Sequence, residues 1–384
     1  MKVTQIATIL NEISKEMIGE GAVVNEDLSN IVDIGRSFTN VLTTDGGVDN
    51  YVKKIMDKVG RVINVDRKYT GGAPDIIRDN WEYGSVLEKI RVDLPKATEN
   101  DTWKLVADTK YDDFAVFTPP NVSTKYWNKR ITYETKVSYG YEQVKSSFAG
   151  PATMNAFFAN IENRIRSAMA FYNTSLAKRT VNNLIAQKIH SKNNVVNLLT
   201  EYNTAYTATL TAEKALTDKN FLRYAATQIQ LYRDYITEMS MLYNDTSYVT
   251  FTPYEYQHLT LLSQFDKAMI TNMQADTFHD DLVKVGTYDT VPWWQGSGTD
   301  DNVAFAEASK IDVTIEGSET AVTQNGVVGV LFDRDAAMVC CENYRVTSFY
   351  NPSNETTKFY YKWDAMYMND TAENCIVFVI ADAA

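Results

Sequence analysis

Cysteine and histidine are scarce in this chain, with three of each among 384 residues. Cys340 and Cys341 are adjacent and Cys375 stands apart, so the thiols supply neither a disulfide framework nor the paired spacing of a zinc site. A reduced, cytosolic folding environment is expected, with the thiols buried as small apolar groups. His190, His258 and His279 are widely separated and follow no ligand pattern, which predicts structural positions at helix ends or on the surface. His279-Asp280-Asp281 reads as a solvated acidic loop, since no second cluster of hard oxygen ligands accompanies it.

Long apolar runs are also missing. Nothing approaches the roughly 20 residues of a membrane helix, and Met1-Lys2-Val3-Thr4-Gln5 is too polar to open a secretory signal. No membrane partner is expected. Positive charge is in deficit, 37 Lys and Arg against 49 Asp and Glu for a net charge of −12, which argues against a sequence-reading nucleic-acid binder. Gly46-Gly47 and Gly71-Gly72 lack the following Lys-Ser/Thr of a phosphate loop, and Gly296-Ser297-Gly298 is not a nucleophile elbow. No catalytic, cofactor-binding or metal-ligating residue is assigned, and no cofactor is expected.

What remains is an ordinary globular composition, 45% hydrophobic and 22% charged, at a length that favours more than one lobe. Aromatics are abundant, with 24 Tyr, 16 Phe and 6 Trp. Trp293-Trp294 beside Asp289, Asp300 and Asp301 admits a glycoside-acting or carbohydrate-binding protein, with rings for stacking and carboxylates for acid/base work. The competing account is that Tyr and Trp suit subunit contacts, and it is favoured because no carboxylate pair can be fixed.

Periodicity organises the chain. Ile6, Ile9, Leu10, Ile13 and Met17 recur at helical spacing, a second helical piece spans residues 26–42, and Tyr51, Ile55, Met56, Val59, Val62 and Ile63 predict a third. Residues 85–94 and 127–139 read as two strands paired across a polar connection carrying Pro119-Pro120. Pro151 opens the strongest helix, with Ile161, Ile165, Met169, Tyr172, Leu176, Val181 and Leu184 on one face to about Ile189. A polar, Thr/Asn-rich stretch follows to Leu216. Leu222, Ala226, Ile229, Tyr232 and Ile236 then form a further helix, residues 248–253 a strand, and Leu259, Leu262 and Phe265 a helix. Residues 326–332 and 376–380 are short apolar runs of buried-strand type, and residues 344–350 and 358–368 form a long antiparallel pair about the turn Asn351-Pro352-Ser353-Asn354.

The stretch Asp79-Asn80-Trp81-Glu82-Tyr83-Gly84-Ser85-Val86, with its lead-in from Val65, resembles a segment of the major capsid proteins of tailed bacteriophages. There it precedes a two-stranded loop that reaches onto a neighbouring subunit. The order of elements, with a long helix after that loop and slots at residues 329–335, 345–352 and 376–380, is similar to the same family. The resemblance implies an α+β tailed-phage major capsid fold: an N-terminal helical arm (1–64), an extended β-hairpin loop (65–148), a spine helix (149–190), an axial domain (191–325) and C-terminal strands (326–384). It further implies hexamers and pentamers of this chain closing an icosahedral shell around double-stranded DNA, which is touched non-specifically on the inner face. Scaffold, portal and decoration proteins are the implied partners, and the implied location is the virion capsid, assembled in the bacterial host cytoplasm. An encapsulin-like compartment shell shares the fold and is the nearest alternative. Some relatives carry a Lys-Asn cross-link; Lys96, Lys104, Lys110 and Lys125 fall in or near the loop, and none is assigned that role.

Overall fold

The computed structural model describes residues 3–17, 23–34, 76–78, 87–94, 122–128, 130–140, 145–146, 149–246, 248–274, 287–295, 309–315, 320–353 and 356–382. The third arm helix at residues 51–63, the Trp81-Glu82-Tyr83-Gly84 motif, Pro119-Pro120, the glycine pairs, His279-Asp280-Asp281, Gly296-Ser297-Gly298 and Asp300-Asp301 lie outside the described residues. The chain forms two compact units, each discontinuous in sequence: Met1–Gly71, Arg130–Ser175 and Cys341–Ala365 make one, and Gly72–Lys129, Leu176–Cys340 and Met366–Ala384 make the other.

The described strands, in chain order, are β1 (Ile77–Arg78), β2 (Leu87–Val92), β3 (Val122–Trp127), β4 (Arg130–Gly140), β5 (Val195–Asn197), β6 (Gln257–Leu262), β7 (Asp289–Val291), β8 (Ile311–Val313), β9 (Val322–Gln324), β10 (Val327–Asp333), β11 (Ala337–Asn351), β12 (Thr356–Asn369) and β13 (Cys375–Val379). They build a five-stranded sheet ordered β5-β13-β10-β6-β7, a four-stranded sheet ordered β1-β11-β12-β4, and the two-stranded ribbons β2-β3 and β8-β9. With the helices between them this is the expected mixture of helix and sheet.

In the first unit, helix Val3–Met17 buries Ala7, Leu10 and Ile13 as one stripe. Asn11 clamps the returning chain, accepting from the Val24 N–H at 2.5 Å and donating to the Val24 carbonyl at 2.9 Å. The second predicted helix is reduced, within the described residues, to one turn at 31–34 after Leu28 in a left-handed conformation. β4 and β12 alternate as strands should, so neighbours point to opposite faces. On one face Trp363 is buried against Tyr133 and Tyr172, with ring centroids 5.4 Å apart for Tyr133–Trp363 and for Tyr133–Tyr172, and its indole N–H donates to the Asn173 side chain at 3.0 Å. On the other face the buried Asp364 carboxylate accepts two hydrogen bonds from Arg345, at 2.7 and 3.1 Å, and one from Thr132 at 2.7 Å, and pairs with Arg130. The chain thus fixes one strand register with an aromatic cluster on one side and an ionic one on the other.

The long helix runs Pro151–Ser191, opening on proline, whose missing N–H costs nothing at a first helical position. It ends where Lys192 and Asn194 turn left-handed. In the second unit β10 and β13 are buried along their whole length, matching their unbroken apolar sequence. They pair antiparallel, Val330 opposite Val377 and Leu331 opposite Ile376. Gly326 precedes them at φ +73, where a Cβ would stand 2.0 Å from the Ile380 carbonyl oxygen, so a side chain is excluded there.

Two local expectations need correction, and one further element was not foreseen. Residues 257–262 form strand β6 and not a helix, because β10 on one side and β7 on the other supply its hydrogen bonds; the helix begins only at Ser263–Gln274. Residues 248–253 make a single bridge, Thr250 to Ser240, and no strand. The polar stretch after Ser191 holds a helix, Leu198–Tyr206, whose first amides at Leu199 and Thr200 are capped by the Asn197 side chain.

Candidate assembly interface

The most unusual surface is the ribbon β2-β3. Its antiparallel register sets Leu87 opposite Trp127, Lys89 opposite Lys125, Arg91 opposite Ser123 and Val92 opposite Val122. The expected hairpin was therefore correct in its first strand and wrong in its second. The alternating run at 127–139 belongs mainly to β4, which pairs with β12, and the true partner is β3.

The two faces of this ribbon are inverted relative to a soluble sheet. The inward face carries charge. Two lysines directly opposite each other repel, and they are tolerated because Asp370, 1% exposed, lies within 3.3 Å of Lys89, 2.9 Å of Arg91 and 3.2 Å of Lys125. Glu373 pairs with both Lys89 and Arg91. Arg91 also donates to the Ala372 carbonyl at 3.0 Å, and the Trp127 indole N–H to the Asn369 carbonyl at 3.2 Å. Leu87 and Trp127 close the seat by packing on Met338, Cys340, Met366 and Met368. The outward face is largely apolar: Ile90, Val92, Leu94, Val122 and Tyr126 are each 52–61% exposed, and they share it with Thr124 and with Glu88, which accepts from the Tyr126 hydroxyl at 3.0 Å. A soluble monomer would place these side chains the other way round, and an exposed apolar patch on a pre-seated ribbon is the mark of a contact surface.

Burial pushes the Asp370 carboxyl up from its ordinary 3.8, but Lys125, Lys89, Arg91 and the Ala372 N–H together outweigh it and hold the group lower. A depressed folded value means that this carboxylate stabilises the seat above pH 3.8 and that the contribution is lost as pH falls below it. At pH 3, amide exchange corrected for intrinsic rate is expected to rise in β2 and β3, by a few-fold at most from this one group, while β10 and β13 stay protected. Unchanged protection of the ribbon at that pH would show that its seat is not ionic.

Among the described residues, those weighed for chemistry are not brought together. Trp294 is buried, donates its indole N–H to the Val327 carbonyl at 2.8 Å, and has its own carbonyl held by Asn182 at 2.6 Å, so its ring is not a platform for sugar. Lys178 sits 4.5 Å from the centre of the Trp293 ring, and Asp289 lies in β7 alongside β6. His258 stacks on Phe332 within the sheet, and His190 ends the long helix. The three cysteines are buried and unbridged, and burial pushes the Cys375 thiol up to about 12, which leaves it protonated and inert. Among the described residues no three His, Cys, Asp or Glu side chains gather as a metal site, and no helix is long and apolar enough to cross a membrane.

The described residues form a mixed helix-and-sheet subunit that presents an apolar ribbon. The model of the Phi29-like phage major capsid protein family matches residues 6–379, and the chain belongs to that family. No curated protein matches it. Among solved structures it is similar to a chain in the capsid structure of Staphylococcus phage Andhra, at 11% identity and TM-score 0.51, covering 80% of this chain and 84% of that one. It is also similar to a chain in the structure of the head fiber and inner core protein gp22 of native bacteriophage P68, at 10% identity and TM-score 0.53, covering 79% and 83%. These likenesses establish the shared fold. The protein is a structural capsid subunit, which is not an enzyme class.

Proposed function

We propose that copies of this chain close as hexamers and pentamers into an icosahedral shell around double-stranded DNA, with the ribbon of each copy laid on its neighbour. The observation that carries the reading is the inverted ribbon, with charges seated inward and apolar side chains presented outward. Scaffold and portal proteins, and decoration proteins on the outside, are the further partners. Assembly takes place in the cytoplasm of the bacterial host, and the finished protein resides in the virion. The net charge of −12 suits a wall that contains packed DNA without adhering to it. The division into arm, extended loop, spine helix, axial domain and C-terminal strands belongs to the same proposal. An encapsulin-like compartment is the weaker reading, because the matching family is a phage one.

The test is assembly itself. Purified protein, alone or co-expressed with a scaffold, is expected to give capsomers, tubes or shells by light scattering and negative-stain microscopy. A folded monomer that persists across a wide concentration range would sink the proposal.

A further inference from the structure

A second surface in the Leu176–Cys340 part of the chain shows the same inversion as the ribbon. Residues 236–246 and 248–256 belong to a loop closed by reciprocal backbone bonds between Ser240 and Thr250, each 3.0 Å, and by the Thr252 N–H donating to the Ile236 carbonyl at 2.8 Å. Its polar side is pinned inward. Thr250 donates to Asn374 at 2.8 Å, Thr252 donates to Asp333 at 2.7 Å, and the Asp245 N–H donates to the Thr371 carbonyl at 3.0 Å. Its apolar side chains face out: Met239, Met241, Leu242 and Phe251 are 48–72% exposed. So rigid a loop does not hold four large apolar groups in water for its own stability.

A surface of complementary character lies at the other end of helix Lys219–Tyr235. There Tyr202, Tyr206 and Tyr224, with centroids 4.9–5.9 Å apart, line a cleft of about 480 Å³ together with Asn220, Arg223 and Gln228. Tyrosine rings with an arginine make the kind of pocket that takes an anchor residue, and thioethers are favoured against aromatic rings. Charge agrees as well. Exposed Asp234 and Glu238 flank the loop, and exposed Lys219 and Arg223 flank the cleft, where Asp218 near Tyr202 and Glu201 near Tyr224 offset part of that positive charge. Tyr224 and Tyr235 are eleven residues apart on one helix, about 16 Å, so the loop cannot fold back into the cleft of its own chain.

We propose that the loop at residues 236–256 of one copy docks head to tail in the tyrosine cleft of the next, an inference that rests on the capsid reading above. Two different surfaces on one compact unit make a heterologous contact, which generates a ring where the rotation between copies closes and an open filament where it does not. The test uses engineered thiols, since the native Cys340, Cys341 and Cys375 are buried. Leu242→Cys places a thiol on the loop and Thr227→Cys one beside the cleft. Under mild oxidation of assembled material, each single variant alone is expected to stay uncross-linked, and their mixture to give covalent dimers. A chain carrying both should give a ladder with most of its protein above dimer. Self-dimers from Leu242→Cys alone would overturn the head-to-tail geometry in favour of a symmetric one. Capsomers or shells that form normally without any ladder would overturn this contact and leave the capsid reading standing. Failure of every variant and of the parent chain to associate would overturn both.

Discussion

Replacing Ile90 by Asp together with Val92 by Lys is expected to abolish shell closure while leaving the subunit folded. Both side chains are more than half exposed, so the monomer loses little, within about 0.5 kcal/mol for surface substitutions. In the proposed contact the same positions are covered by the neighbouring copy. Burial of each aliphatic side chain is worth about 1.5–3 kcal/mol, and an unpaired charge in its place adds a desolvation cost of similar or larger size. The loss is about 100-fold or more per contact, since each 1.4 kcal/mol is a factor of ten. It recurs in every subunit and multiplies through the many simultaneous contacts of a closed shell. Circular dichroism and thermal unfolding should match the parent, while sedimentation and microscopy should show no closed particles. Closed particles of normal size from this double variant would remove the ribbon from the assembly contact.

How much of this was legible in the residues depends on whether the signal was local. The long helix was readable because Ile165, Met169, Leu176, Val181 and Leu184 keep one face, and all five are buried. The β10 and β13 strands were readable because an unbroken Val/Ile/Phe run bounded by turns has few alternatives. Strand β6 was not, since Leu259, Leu262 and Phe265 satisfy a helical spacing and only the flanking strands β10 and β7 decide against it. The alternation over residues 248–253 imitated a strand, yet its apolar members, Val249 and Phe251, face outward from the pinned loop. The ribbon was half legible. Its first strand followed from alternation, but the second was displaced because β3 ends at Trp127 and β4 begins at Arg130, so two strands read as one. Its ionic seat was out of reach of any local pattern, as Lys89 and Asp370 are 281 residues apart. The Asn197 helix cap did have a signal, an Asn before an apolar pair, that the polar composition around it obscured.

Asp245→Ala is expected to be among the most damaging single substitutions, and more damaging than removal of the partner it serves. Lys188 lies on the long helix with its side chain fully buried, its ammonium 3.0 Å from Asp245, whose carboxylate is 15% exposed. The Thr371 carbonyl at 3.5 Å gives the ammonium little further help. Removing Asp245 leaves a buried cation without its counter-charge, a loss of about 3–5 kcal/mol. Lys188→Met behaves differently. The thioether fills most of the same volume in an apolar surround, and the carboxylate left behind retains some solvent, so the cost should be about 1–2 kcal/mol. Combining the two removes the uncompensated charge. The double variant is therefore expected to be more stable than Asp245→Ala alone, with a coupling of about 2 kcal/mol in a double-mutant cycle read by urea unfolding. The Asp245 N–H bond to the Thr371 carbonyl is a backbone contact that alanine keeps, so at matched folded fraction the two single variants are expected to assemble alike. Additive losses in the cycle would show that Asp245 does not compensate the buried Lys188 charge.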